Sequence, residues 1–233
     1  LAFFSIFAPN FAAWNNMVNI MQATAVNGVL GVAVTFVIIS GGIDLAVGTM
    51  MTLTAVMAGL ILTNLGMPMA VGVVGAMLSG AVMGAISGFT IAKLKIPPFI
   101  ATLGMMQIAR GLALVFSGAK PIYFNSTPNY NLLSPESSIT NLIPGLEVPN
   151  GVFVMFGVAI IASIILTRTI FGRYVFALGS NEEAARLSGM NVDFWKIVTY
   201  SLSGLICGIA GLLVSSRLNS AQPALGLGYE LDA

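Results

Sequence analysis

The first group of residues that could do chemistry is an acidic residue in a glycine-rich stretch, Ser40-Gly41-Gly42-Ile43-Asp44-Leu45-Ala46-Val47-Gly48. Apolar runs flank this stretch on both sides, so an unpartnered carboxylate would be costly to bury there. Asp44 can accept a hydrogen bond from an N–H group two or three residues further on, near Ala46 or Val47, as a structural cap of the next helix. Alternatively, Gly42 and Asp44 mark a broken-helix junction near a transport path, where irregular backbone must line protein or a water-filled cavity. Both interpretations stay open.

A second group of polar residues has the pattern of a short capped helix over residues 180–188. Ser180 and Glu183 have the spacing of a capping box, and Gly189 suits the left-handed residue that often ends a helix. Because a helix this short is marginal alone, we expect one side of it to dock on a partner protein at the membrane surface. A solvated helix lying on lipid headgroups is the alternative. The residues assigned to docking are Ser180, Glu182, Glu183, Ala184, Arg186, Leu187 and Gly189.

Arg110 is a cation inside an otherwise apolar segment, with Gln107 one turn before it. Pro98 stands at the start of this segment, and proline suits the first turn of a helix. An ionisable residue within a membrane span is a candidate for substrate contact, although a long side chain can also snorkel or pair locally. Gln107 and Arg110 are therefore candidates for a transport path, with a structural pairing of Arg110 as the alternative.

The remaining polar residues exclude several classes of protein. The sequence has no histidine and a single cysteine, Cys207, so the usual His/Cys metal sites and nucleophile–histidine pairs cannot be assembled. No glycine-rich run ends in Gly-Lys-Ser/Thr, so the chain has no visible nucleotide-binding loop. The basic residues are scattered, which gives no support to a nucleic-acid partner. We expect no enzyme activity, bound cofactor or metal in this chain.

The composition around these residues is that of a membrane protein. Apolar residues make up 57% of the chain and charged residues 7%, against roughly 25% charged in a soluble domain. No charge occurs in residues 1–43 or in residues 45–92, whereas one spanning helix needs only ~20 apolar residues. The runs are also too long and too unalternating for barrel strands. The sequence therefore predicts an all-α, polytopic membrane helical bundle.

About seven membrane segments are predicted, the first of them partial, in a fragment that looks incomplete at both ends. The segments are residues 1–8, 17–40, 45–63, 70–92, 98–117, 151–167 and 197–215.

The charges between the segments predict an orientation. Lys93 and Lys95 lie in one connection, and four further cations lie two crossings later in residues 168–196, on the same side. That side is cytoplasmic by the positive-inside rule. Residues 118–150 contain five of the ten prolines, which favours an external loop over a continuous helix.

Two of the predicted helices carry small residues at intervals of about one turn. Lipid supplies no hydrophobic drive between helices, so close backbone approach through small residues holds them together. We expect both faces to be packing faces, with sliding or rocking during transport as the alternative. The residues are Gly72, Ala76, Gly80, Gly84 and Gly88 in one helix, and Gly204, Gly208, Gly211 and Ser215 in the other.

In order and spacing, the sequence resembles the permeases of bacterial ATP-binding-cassette importers of the ribose, xylose and galactose type. The resemblance covers the chain and implies one transmembrane permease domain over residues 1–233 in the cytoplasmic (inner) membrane. It rests on the stretch around Asp44, on Pro98-Phe99-Ile100-Ala101-Thr102-Leu103-Gly104, on Phe171-Gly172-Arg173, on Asn181-Glu182-Glu183-Ala184-Ala185-Arg186-Leu187-Ser188-Gly189 and on Gly228-Tyr229-Glu230-Leu231-Asp232-Ala233.

The resemblance also implies three protein partners. These are a second permease copy, a cytoplasmic ATPase subunit that binds ATP and magnesium, and an external sugar-binding protein. The helix at residues 180–188 would be the coupling helix that docks on the ATPase. Two features depart from the family: Ala46 stands where Ser is usual, and the chain stops at Ala233, where family members continue into further membrane helices.

The implied function is that of the membrane-spanning subunit of an ATP-driven importer, which moves a ribose-like monosaccharide by alternating access. The alternative is an ion-coupled or facilitative secondary transporter of a small polar solute, with Asp44 or Arg110 as the coupling site. A membrane scaffold without transport is a third class. A neutral sugar needs a polar, uncharged route, and the candidates by polarity are Asn19, Gln22, Thr24, Asn27 and Gln107.

Overall fold

The computed structural model describes residues 7, 11, 13–125, 127–138 and 147–232. Within these residues the fold is all-α, as predicted, apart from two short strands and a few turns. The helices are α1 (Trp14–Ile39), α2 (Val47–Gly59, continued by a π-helical turn over Leu60–Asn64), α3 (Met69–Ala92), α4 (Pro98–Ser117), α5 (Asn150–Arg168), α6 (Ile170–Ser180), α7 (Glu182–Leu187), α8 (Val192–Leu218) and α9 (Tyr229–Asp232). Strand β1 (Ile122–Tyr123) pairs antiparallel with β2 (Ser220–Ala221), and Tyr130–Leu133 form a 3-10 turn.

Six helices in the described part of the chain are long and apolar enough to cross a membrane: α1, α2 with its π-helical turn, α3, α4, α5 and α8. They correspond to the last six predicted segments. The partial helix predicted over residues 1–8 falls, except for Phe7, outside the described residues. The largest difference in bounds is at α8, which begins at Val192 rather than at residue 197 because the Asn191 side chain caps it by accepting from Phe194 N at 3.1 Å.

Helices α3 and α8 pack through most of the two predicted small-residue faces, whereas Gly72 lies against Leu62 and Gly211 against Thr54 of α2. A Cβ atom added to Gly80 would overlap the carbonyl oxygen of Gly204, and one added to Gly84 would overlap that of Tyr200. The backbones are therefore in direct contact, as expected where small residues replace the hydrophobic drive. Ser215 has a different role, because its Oγ lies 2.7 Å from the hydroxyl of Tyr130 in the loop between α4 and α5.

Helix α2 is the centre of the bundle, and α5 lies at its edge. In α2 every residue from Val47 to Gly59 except Met57 is buried, as expected for a helix that is apolar all round. In α5 only Gly151 and Ala162 are buried.

The described part of the loop between α4 and α5 folds back over the end of α8. The β1–β2 pairing attaches its first part to the residues after α8, and the Tyr130 ring stacks on Phe124 at a centroid distance of 4.0 Å. Ser216 Oγ donates to the Tyr130 carbonyl at 2.8 Å. The described part of residues 118–150 thus contains no helix longer than one 3-10 turn before α5, in agreement with its prolines.

The opposite end of the bundle is more helical than predicted. Residues 168–196 contain all of α6 and α7 and the first turn of α8, whereas the sequence predicted a single short helix there. Three capping side chains explain the difference, because Thr169, Asn181 and Asn191 each accept a hydrogen bond from an N–H group at the start of the following helix.

Candidate functional site

The glycine-rich stretch forms a break between α1 and α2. Gly41 has φ of +79°, a left-handed conformation that glycine adopts without steric cost. Gly42 lies against the hydroxyl of Tyr200, and a Cβ atom there would overlap it. Both glycines are therefore required by the local geometry, one by its backbone angle and the other by the approach of α8.

Asp44 is the buried polar centre of this break, with 4% of its surface exposed. Its Oδ1 accepts from Ala46 N at 2.9 Å, which confirms the predicted bond to the following helix. Its Oδ2 accepts from Ser203 Oγ on α8 at 3.4 Å. Next to it, the Tyr200 hydroxyl donates to the carbonyl oxygen of Ile43 at 3.2 Å. Asp44 thus holds Ala46, the residue just before α2, and also connects the break to α8.

The break lies deep in the bundle. Ser203 follows Val192 by eleven residues in α8, which corresponds to ~16 Å of helix at 1.5 Å per residue. Gly204 touches Gly80, near the middle of α3. Irregular backbone at this depth is tolerated when protein surrounds it, and here α8 supplies the hydrogen-bond donors.

Helix α7 has a different cap from the one predicted. Ser180 is the last residue of α6 and therefore has helical backbone, so it cannot cap α7. Asn181 takes the capping position in extended conformation, and its side chain accepts from Ala184 N at 2.9 Å. The predicted exit is correct: Gly189 has φ of +88° and closes the helix with a bond from its N–H to the Arg186 carbonyl.

Ion pairs hold α7 against the bundle. Lys196 Nζ on α8 lies 2.6 Å from Glu182 Oε2, and Arg186 Nη2 lies 3.2 Å from Glu182 Oε1. Asp193 on α8 pairs with Lys93 at 3.0 Å and with Lys95 at 3.1 Å, both just after α3. The structure therefore brings the two basic connections together at one end of the bundle, as the charge pattern predicted.

Glu182 stays charged at neutral pH in this arrangement. The hydrogen bond from Lys196, with the positive charges of Lys196, Arg186 and Lys95, holds the pKa of the Glu182 carboxyl below its ordinary value, against an opposing effect of partial burial. The attachment of α7 to α8 is therefore present above the ordinary pKa of a glutamate. It is lost only as the pH falls through the lowered value.

The outer face of α7 is left open. Leu187 is 83% exposed, and Glu183 and Ala184 are exposed as well, whereas Ala185 faces the bundle and packs with Leu178 and Val192. A cleft of about 210 Å³ lies between α7 and the glycine break, and its lining includes Gly41, Gly42, Glu182, Lys196 and Tyr200.

The other predicted residues are not gathered into one site. Gln107 and Arg110 are both exposed on α4, and Arg110 forms no ion pair within the described part of the chain. Of the polar residues of α1, Gln22 is buried and Asn27 is half-buried, whereas Asn19 and Thr24 are exposed.

Sequence reasoning missed the polar face of α8. Lys196 pairs with Glu182, and Tyr200 and Ser203 contact the break. None of the three was a candidate site residue in the sequence analysis. Their spacing of four and three residues places them on one helix face, and this was the available signal. It was not recognised because the predicted helix began at residue 197.

This arrangement defines a class, a polytopic helical membrane protein with a broken helix inside the bundle and a capped helix at one end. The chain matches the family described as the branched-chain amino acid transport system permease component over residues 16–233. The chain belongs to this family and is a multi-pass permease of the bacterial cytoplasmic membrane.

Several curated relatives match the chain along its whole length. The ribose import permease protein RbsC of Escherichia coli K12 is 42% identical over 233 residues, which are 100% of this chain and 71% of the relative. The RbsC protein of Bacillus subtilis is 40% identical over 98% of this chain and 69% of the relative. The fructose import permease protein FrcC of Rhizobium meliloti is 37% identical over 97% of this chain and 63% of the relative. No solved structure matches.

Proposed function

We propose that this chain is the membrane-spanning subunit of an ATP-driven importer that moves a monosaccharide into the cell by alternating access. Its similarity along the whole chain to permeases named for ribose, fructose and L-arabinose supports a sugar as the solute. A ribose-like sugar is the first candidate. Membership of the permease family favours this function over an ion-coupled or facilitative transporter.

The observation that carries the proposal is the way in which α7 is attached to the bundle. Its inner face is fixed by Ala185 and by the Glu182–Lys196 pair, while Leu187 points away from the bundle. A short helix whose apolar side chain is held out from the protein suits a docking element. We assign α7 as the coupling helix, with Glu182, Glu183, Ala184, Arg186, Leu187 and Gly189 as its residues.

The proposed partners follow from this role. A cytoplasmic ATPase subunit docks on α7 and holds ATP and magnesium, so that this chain needs no ATPase site of its own. An external sugar-binding protein delivers the solute. A second permease copy completes the complex, and the exposed face of α4 with Gln107 and Arg110 is the proposed side of the transport path, together with Asn27 and the break at Gly42 and Asp44.

Reconstitution tests the proposal. The full permease containing this chain is reconstituted in proteoliposomes with its ATPase and binding protein. Uptake of labelled ribose, arabinose or fructose is expected only when ATP is present on the side of the membrane that carries the ATPase. Leu187→Asp is expected to abolish uptake, because it places a charge at an apolar contact. Leu94→Asp is the matched control, since Leu94 is also exposed and lies between two lysines at the same end of the bundle.

Two results would contradict the proposal. Sugar uptake by the permease alone, without the ATPase subunit, would identify a secondary transporter. Equal uptake by Leu187→Asp and Leu94→Asp would show that α7 is not the docking element.

A further inference from the structure

The glycine break and the proposed coupling helix are connected by a single face of α8. Lys196, Tyr200 and Ser203 follow one another at four and three residues, the spacing of neighbours along one side of a helix. Lys196 reaches Glu182 of α7 at 2.6 Å. Tyr200 and Ser203 reach Ile43 and Asp44 of the break at 3.2 and 3.4 Å.

A second contact joins the same two elements. Asn181 connects α6 directly to α7, and the end of α6 packs on the break, where a Cβ atom added to Gly179 would overlap the Ile39 carbonyl oxygen. Two routes of contact, one through α8 and one through α6, therefore join α7 to the break. The cleft of about 210 Å³ between α7 and the break leaves room for a displacement of α7.

The adjacent face of α8 packs closely on α3. The backbones of α3 and α8 touch at Gly80 and Gly204 and again at Gly84 and Tyr200. Close packing of this kind transmits a displacement rather than absorbing it. The hydroxyl groups of Tyr200 and Ser203 lie next to this contact.

We infer that Lys196, Tyr200 and Ser203 are positioning residues that transmit the position of α7 to the glycine break at Asp44. This inference rests on the proposed function, because it takes α7 to be the element that the ATPase moves. Lys196 holds α7 through its charge. Tyr200 and Ser203 hold the break by two hydrogen bonds, one to a backbone carbonyl and one to a carboxylate.

The test compares two rates of ATP hydrolysis in the full reconstituted complex, one measured without sugar and one measured with ribose-loaded binding protein. We expect Tyr200→Phe to hydrolyse ATP without sugar as the wild type does, and to lose about fivefold or more of the stimulation by ribose-loaded binding protein. Tyr174→Phe is the matched control, since it also loses one hydroxyl and its ring packs on Trp195 at a centroid distance of 4.8 Å. Lys196→Met is expected to lose stimulation, and Lys196→Arg to retain it.

A reporter at the break separates transmission from stability. Ile43 is 49% exposed and Cys207 is fully buried, so Ile43→Cys combined with Cys207→Ser gives one accessible thiol in this chain. ATP is expected to change its rate of labelling in an otherwise wild-type complex and to leave that rate unchanged when Tyr200→Phe is added. If Tyr200→Phe does not assemble, Ser203→Ala takes its place in both measurements.

The transmission role and the proposed function would be contradicted by different results. Stimulation and an ATP-dependent labelling change in Tyr200→Phe that equal those of the wild type would overturn the transmission role alone. A wild-type complex whose ATP hydrolysis is stimulated by none of ribose, arabinose and fructose would overturn the proposed function instead.

Discussion

Asp44 uses both of its carboxylate oxygens, one toward its own helix and one toward α8. A structural cap and a junction near a transport path were alternative interpretations of the sequence; the bond from Ala46 N falls just before α2, and the place of Asp44 in a transport path stays a prediction. A carboxylate that accepts only an N–H bond would be a local cap, whereas the bond from Ser203 makes it a contact between helices. This second bond comes from a residue 159 positions away along the chain.

Removing this carboxylate is expected to destabilise the permease. Asp44→Ala removes the acceptor of the Ala46 N–H and of the Ser203 hydroxyl, and an unsatisfied buried polar group costs about 1–3 kcal/mol. Thermal unfolding of the detergent-solubilised full permease measures the effect as a lower midpoint. Ser203→Ala removes only the longer bond and should cost less; an Asp44→Ala midpoint at or above that of Ser203→Ala would contradict this account.

The contact between α3 and α8 depends on the absence of side chains along most of one stripe. Alanine is a better helix former than glycine by about 1 kcal/mol, so the retained glycines need a reason in packing. At Gly80 and Gly84 that reason is the carbonyl oxygen of the facing helix. The same contact holds Tyr200 in place, so helix packing and the polar face of α8 are linked.

A single methyl group in this contact is expected to disturb the bundle. Gly84→Ala forces the helices apart at Tyr200, and overpacking of this kind costs about 1–3 kcal/mol. Thermal unfolding again provides the measurement. Gly157→Ala on α5 is the control, because an added Cβ there meets nothing within 4 Å; equal midpoints for the two variants would show that the helices are not in backbone contact.

Over the whole molecule, the two ends of the bundle differ in their charged residues. The ion-pair cluster of α7 with Lys93, Lys95 and Lys196 lies at one end, and the loop anchored by Tyr130 lies at the other. The positive-inside rule assigns the first end to the cytoplasm. Family membership agrees with a multi-pass protein but leaves the direction of each helix to experiment.

Cysteine labelling in intact cells tests this direction. In a Cys207→Ser background of the full permease stripped of other thiols, Lys120→Cys should react with a membrane-impermeant reagent from outside. Glu183→Cys should react only after the cells are opened. Labelling of Glu183→Cys in closed cells would reverse the topology and would also remove α7 from reach of a cytoplasmic ATPase.

Much of this protein could be predicted from the order of its residues, because each such feature has a local cause. Long apolar runs must be helices in lipid, and the bounds of α4 at Pro98 and Ser117 were predicted without error. The bond from Asp44 to the start of α2 joins residues two positions apart, and the left-handed exit at Gly189 is set by one residue. The grouping of Lys93 and Lys95 with the later cations followed from counting crossings.

What the tertiary structure alone decided is which distant groups meet. Ser180 and Asn181 are both good caps by type, and only the continuation of α6 selects Asn181. The role of Tyr200 depends on α8 lying against Gly42, and that of Lys196 depends on α7 folding back toward it. Local energies determine where helices begin and end, whereas partners far apart in sequence are selected by the packing of the whole bundle.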